Sequence, residues 1–442
     1  SLGGQSFLHT LILCVLAEEN LHLIDPGITS IIVLGLILGF LRKKNFSPRM
    51  AAIIILPFLL VIPPVTNTTS FIVSSALILG LFRTLHWKEL KEYSLLSKAF
   101  IIALITSAAI ASKATLIPVT ILLLGLSYFF YIIYSENKQI AIREFIVSVI
   151  LTIALLFPWM LSMYQSSGTL LFPILGKGYH GSVYYDHYAE SYGEIKWLIL
   201  PIFSVLHIAL FLLCVVYIQL QPWRELKFEK RGATLSLIVS MILGTIITIV
   251  VTNGYHERYT FPFVYVAIVV LIITLLAQLG IRDNDRSKPP NFTAVLVVVL
   301  VISMLIGSGN GWNGVRASYV QYVKNIQGSL NNQFSVATRQ EVLQYAKMQQ
   351  SIPPDEILLT RLSKPFLLNF SRNPIFIVDL PGYASPPPGM PLFKGSKALS
   401  DYLTAQSIRY IAYDYAREPG AKRAYWEKKL GAEIYPWVKP KR

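Results

Sequence analysis

The chain has 442 residues, of which 54% are hydrophobic and 14% charged, against the roughly 25% charge of an ordinary soluble domain. Together with a mean hydropathy of +0.53, this balance argues against a wholly soluble fold and points to a bilayer as the solvent. The formal charge of +15 is unevenly spread: from Asn310 onward 18 Lys/Arg stand against 9 Asp/Glu, a surplus that reads as attraction to anionic headgroups rather than to nucleic acid.

The first apolar run, Phe7 to Leu16, is shorter than the roughly 20 residues a span needs. No basic stretch precedes it as in a signal peptide. The chain opens Ser1-Leu2-Gly3-Gly4, and upstream sequence is expected to be missing. Apolar segments follow at 27–41, 50–65, 70–82, 99–111, 115–134, 145–164, 197–219, 233–252, 261–279 and 292–308. They predict an α-helical polytopic membrane protein with about ten transmembrane helices over residues 1–309. The turns at 65–70 and 111–115 are so tight that each flanking pair should form a helical hairpin, because open backbone cannot face lipid. Cys14 and Cys214 both lie inside apolar runs, so neither a disulfide framework nor a thiolate metal site is expected.

Alternate loops differ in charge. The loops holding Arg42, Arg83, Lys138, Arg224 and Arg282 contain 17 Lys and Arg, while the opposite set contains only Lys113, Lys177, Lys196 and Arg258. The positive-inside rule makes the first set cytoplasmic. The loop 165–196, the turn 253–260 and residues 310–442 are then outside the cytoplasm.

After Asn310 the apolar runs shorten. Ala337–Gln350, Lys397–Gln406 and Ala421–Leu430 read as helices, and Glu356–Thr360, Pro374–Val378 and Ile408–Tyr413 as short buried strands, with Ile377 and Ile411 expected in the core. Alternating strands and helices predict a C-terminal extracytoplasmic α/β domain over 310–442.

Chemistry concentrates in the outer loops. The stretch Gly176 to Tyr188 carries Lys177, Tyr179, His180, Tyr184, Asp186 and His187; tyrosine rings stack on sugars, and Lys and His meet phosphate oxygens. An aromatic interfacial belt is the plainer reading. His180, Asp186 and His187 bear ligand atoms suited to a divalent metal, but their spacing matches no metal template, and hydrogen-bonding histidines are the alternative. Glu257 and Arg258 open the span at 261; Arg258 suits a lipid phosphate held by two oxygens, or a Glu–Arg pair closing a turn. Lys113 either lines a cavity or snorkels to water. Glu18, Glu19 and Asp25 are weak candidates for a general base, with solvated loop acids the alternative.

The successive apolar hairpins, Ser112-Lys113, Leu171-Phe172-Pro173, Glu257-Arg258-Tyr259-Thr260-Phe261-Pro262 and the final α/β segment resemble polytopic GT-C glycosyltransferases. They look most like bacterial members of the dolichyl-phosphate-mannose protein mannosyltransferase and aminoarabinose transferase superfamily. Leu362-Ser363-Lys364-Pro365-Phe366, Ile377-Val378-Asp379-Leu380-Pro381-Gly382 and Ile408-Arg409-Tyr410-Ile411-Ala412-Tyr413 look like one subgroup of it. The resemblance implies a polyprenyl-phosphate sugar donor, inverting transfer at the outer face of a bacterial inner membrane, and a catalytic acid in the first outer loop. This sequence carries no copy of that loop, and Gly3-Gly4-Gln5-Ser6 resembles sequence found farther downstream. A truncated enzyme or a chain without activity would each have this appearance.

No glycine-rich nucleotide loop is present. Besides the enzyme, a non-catalytic subunit recruiting protein partners through the C-terminal domain fits the pattern, as does a transporter or flippase of lipid-linked or anionic solutes. Transport calls for charge within the spans, where His207 is the chief ionisable residue expected.

Overall fold

The computed structural model describes residues 4–16, 18–49, 51–52, 54–55, 71–86, 90, 92–113, 115–167, 170, 205–220, 228–252, 257–278, 311–331, 333, 337–362, 364–377 and 396–413. The described chain is mostly helical. Two compact units divide it, one within residues 1–166 and 194–335 and the other carried, as described, by residues 337–413.

The first unit starts with α1 (Gly4–Leu13), a 3-10 turn over Glu18–Leu23 and a π turn over Ile24–Ile28 that runs into α2 (Thr29–Lys43). Then come α3 (Phe71–Leu85), α4 (Leu95–Ser112), α5 (Leu116–Tyr134), α6 (Lys138–Ser167), α7 (Val205–Leu220), α8 (Phe228–Thr252), α9 (Glu257–Gln278) and α10 (Gly311–Leu330). Among the described residues, four helices are long and apolar enough to cross a membrane: Leu95–Ser112, Leu116–Tyr134, Lys138–Leu161 and Tyr259–Gln278. Phe71–Leu85, Ile208–Gln219 and Gly232–Thr248 are shorter apolar helices. The chain therefore has the makings of an integral membrane protein. Expected spans at 50–65 and 292–308 lie outside the described residues, apart from 51–52 and 54–55.

Local chemistry explains several helix ends. The Ser94 hydroxyl accepts the Ser97 N–H at 3.2 Å and so caps α4. Lys113 turns to an extended backbone (φ −157°, ψ 132°), and α5 resumes at Leu116 with Pro118 in its first turn, where a missing N–H costs nothing. The tight hairpin expected at 111–115 is thus present.

Helix α9 forms the centre. Its apolar window is 89% buried, against 28% for that of α6, and Phe263 to Ile273 are enclosed on all sides. A helix apolar all round belongs in the interior, whereas α6 turns Ile146, Ile150, Ile153 and Phe157 outward, as a lipid-facing helix does. Among the described residues, α5 and α8 make the most extensive helix–helix contact. Gly232, Ser236, Ser240 and Gly244 recur every fourth residue and are all buried. A Cβ at Gly232 would stand 2.8 Å from Phe130 Cβ, and one at Gly244 2.9 Å from Val119 Cβ, so α8 runs antiparallel to α5 along a seam of small residues. Such seams let backbones approach where lipid supplies no hydrophobic drive.

In the second unit, α11 (Arg339–Gln350) precedes a three-stranded parallel sheet of order β2-β1-β3: β1 is Leu358–Arg361, β2 Ile375–Ile377 and β3 Tyr410–Tyr413. Helix α12 (Ser396–Ala405) lies between β2 and β3 in sequence. Leu358 pairs with Ile375 on one side and Tyr410 on the other, and with Ile352, Leu368 and Ala412 it makes a small core. The three expected strands are present. Ile411, expected in the core, is instead 37% exposed, because β3 borders β1 on one side only. The Ile377 side chain and residues 421–430 lie outside the described residues.

Candidate functional site

Contacts between helices sort the loops of the first unit onto two ends. Phe40 packs edge-on against Phe82 at 6.4 Å, and a Cβ at Gly80 would meet Leu36 at 4.0 Å, so α2 and α3 run side by side in the same direction. The turns that lead into them, including the π turn with Asp25-Pro26-Gly27, therefore share one end; that turn packs on α3. Phe71, at the start of α3, meets Phe261 at 4.3 Å between ring centroids, and the Ser75 hydroxyl donates to the Pro262 carbonyl at 3.2 Å. The start of α9 thus lies at this end too. So does the α4–α5 turn, since Lys113 Nζ stands 5.3 Å from the centroid of the Tyr259 ring.

This juxtaposition has a definite electrostatic character. Lys113 is partly buried, and the face of the Tyr259 ring attracts its ammonium. Helices α5 and α9 both begin beside it, with the positive ends of their dipoles directed there. Arg258 is the residue before Tyr259, so the structure brings its backbone and Lys113 to one place; the side chains of Glu257 and Arg258 lie outside the described residues. The 3-10 turn carrying Glu18 and Glu19 packs against α10, where the Asn20 side-chain amide donates to the Ser329 carbonyl. Side chains of Glu18, Glu19 and Asp25 are outside the described residues, as are Lys177, Tyr179, His180, Tyr184, Asp186 and His187.

The opposite end gathers basic residues from three loops, and here the sequence reading missed a buried cluster. Lys98 Nζ pairs with Glu144 Oε2, whose side chain is only 4% exposed. Tyr128 donates to Glu144 Oε1 at 2.8 Å, Ser148 lies 3.3 Å from the Tyr128 hydroxyl, and Lys98 stands 5.5 Å from the centroid of the Tyr131 ring. Ser127, next to Tyr128, donates to Ser236 of α8 at 3.1 Å. A carboxylate inside α6 thus has full partners on α4 and α5. The sequence signal was present but slight: Glu144 directly precedes the apolar run at 145, and Lys98 the run at 99. His207, singled out instead, has its side chain outside the described residues.

In the second unit, Thr338 and Glu341 form a reciprocal cap on α11, and Lys364 reaches Glu341 at 2.9 Å. The Thr338 backbone N–H and the Lys364 ammonium hold the Glu341 carboxyl well below its ordinary 4.5, at about 2. The cap and the ion pair tie α11 to the segment after β1. No protein-family model matches the chain, and no curated protein is similar to it in sequence.

Proposed function

We propose that the chain is a membrane glycosyltransferase that takes a sugar from a polyprenyl-phosphate donor at the membrane face opposite its basic loops. One observation carries this reading. Lys113, the first residues of α9 and the carboxylate-bearing turn over Ile24–Ile28 belong to the same end of the helical unit. The reaction needs both kinds of group. A carboxylate, from Glu18, Glu19 or Asp25, takes the proton of the acceptor hydroxyl as its oxygen bonds to the anomeric carbon. The bond from that carbon to the phosphate oxygen breaks, and the electron pair leaves with the lipid phosphate. Lys113 and Arg258 stabilise the charge that develops there.

In this reading the basic end faces the cytoplasm of a bacterial inner membrane. The loop 165–196 and the C-terminal α/β domain lie outside, where the domain is open to protein partners. Lipids surround the apolar helices, and no nucleic acid is involved.

The test is binding of a short-chain polyprenyl phosphate to the purified protein in nanodiscs. Losing one charge-assisted hydrogen bond costs about 1.5–3 kcal/mol, or about one to two powers of ten in affinity. Arg258→Ala should show that loss and Arg258→Lys part of it. Unchanged affinity in a folded Arg258→Ala protein would assign the arginine a structural role and remove the chief support for glycosyl transfer.

A further inference from the structure

Helix α3 carries Arg83 in its last turn, on the basic end of the bundle. Its Nη1 donates to the Leu36 carbonyl of α2 at 2.7 Å, an oxygen that already serves the helix ladder. No carboxylate among the described residues pairs with it. A guanidinium has five N–H donors, and this half-buried one commits a single donor to a neutral partner. Gly39 makes the room: a Cβ there would stand 2.8 Å from Nη1 and 3.0 Å from Nη2.

A histidine and two lysines share the corner. His86 follows one turn after Arg83, its ring 5.1 Å from that of Phe82 and its Nε2 3.4 Å from the Ser127 hydroxyl. Lys43 ends α2 next to Lys44. Lys44 Nζ stands 5.5 Å from the centroid of the Phe40 ring, which itself packs on Phe82. The helix dipole and the usual bias of cytoplasmic loops account for lysines at the end of α2. They do not account for a guanidinium drawn in over a glycine with most of its donors uncommitted, because half-buried donors without partners cost free energy.

We propose that Arg83, with Lys43, Lys44 and His86 around it, binds the phosphate of an anionic phospholipid at the basic face of the membrane. A forked guanidinium can hold two phosphate oxygens at once. Lipid is preferred to free phosphate because α2 also turns Ile31, Ile32 and Leu38 outward, exposed by 71%, 50% and 46%, a surface on which an acyl chain can lie. The site is independent of the proposed glycosyl transfer and needs only the membrane setting.

The test uses the whole protein in detergent, offered equal amounts of phosphatidylglycerol and phosphatidylcholine and read by native mass spectrometry. Wild type should retain phosphatidylglycerol selectively. Arg83→Gln should weaken that retention by about ten- to a hundredfold, and Arg83→Lys should keep part of it. Gly39→Ala leaves every charge in place and displaces only the guanidinium, so it should also weaken binding, which a diffuse attraction to basic loops would not. Equal retention by wild type and folded Arg83→Gln, or by wild type and Gly39→Ala, would overturn the site. Displacement of the lipid by inorganic phosphate at matched concentration would overturn the choice of lipid as the source.

Discussion

Removing Lys98 alone should damage the protein more than removing the whole ion pair. Glu144 is 3% exposed and accepts from two groups, Lys98 and Tyr128. In Lys98→Met the carboxylate keeps only the tyrosine hydroxyl and stays buried beside Tyr128 and Phe145. Breaking a buried pair in this way costs about 3–5 kcal/mol, whereas replacing both partners with apolar residues of similar size is often neutral. Lys98→Met with Glu144→Leu should therefore recover most of the loss. Cys214 is a built-in reporter, since it is 8% exposed in α7 while Cys14 is exposed. In a Cys14→Ser background, the rate at which a thiol dye labels Cys214 in detergent follows the open population. A loss of about 3–5 kcal/mol raises that population by about two to four powers of ten. If the single and double variants label at the same rate, the pair does not stabilise the bundle as described, and α6 is held by its apolar contacts instead.

The other expectations concern different parts of the chain. Gly244→Ala should cost about 1–3 kcal/mol by overpacking, because the new methyl would stand 2.9 Å from Val119 Cβ and 3.3 Å from its Cα, whereas Gly35→Ala, with nothing within 4 Å, should cost nothing; Cys214 labelling distinguishes them. Because the Glu341 carboxyl is held at about 2 in the folded protein, below its ordinary 4.5, its stabilising effect is present above about 4.5 and is lost as pH falls towards 2. Hydrogen exchange in the first turn of α11 should thus separate wild type from Glu341→Gln at neutral pH and converge at low pH; a constant difference would count against the cap. With the basic end in the cytoplasm, an impermeant thiol reagent on intact cells should label Tyr184→Cys and spare Arg42→Cys, and the reverse pattern would invert the orientation.

Helix positions were legible because an apolar run of span length has few other solutions in a bilayer. The run at 115–134 became Leu116–Tyr134 and the run at 261–279 became Tyr259–Gln278. The short strands were legible too, because turn residues bound each apolar stretch. Packing was not. Gly232, Ser236, Ser240 and Gly244 stand at an interval of four in plain view, yet nothing in one sequence says that their partner is Val119 to Phe130. Ile411 shows the same limit in the sheet. A strand's composition announces that it will pair, but not whether it will lie at the centre or the edge, and edge position leaves Ile411 in contact with solvent.

For the candidate site, sequence supplied charge and the fold supplied company. Lys113 and Arg258 shared only a sign and a loop set in the sequence; the contact of Lys113 with Tyr259 puts the two segments beside each other. The contrast between the two ends then acquires physical meaning. At the basic end, Lys98 is spent on a carboxylate buried in the same bundle, an arrangement that fixes helices and offers no charge to a ligand. At the other end, the Lys113 ammonium lies over the ring of Tyr259 at the start of α9. Two helix N-termini reinforce that charge. The meeting of Lys113, the start of α9 and a carboxylate-bearing turn, rather than the number of basic residues, is why the sparsely charged end is the one proposed to carry the chemistry.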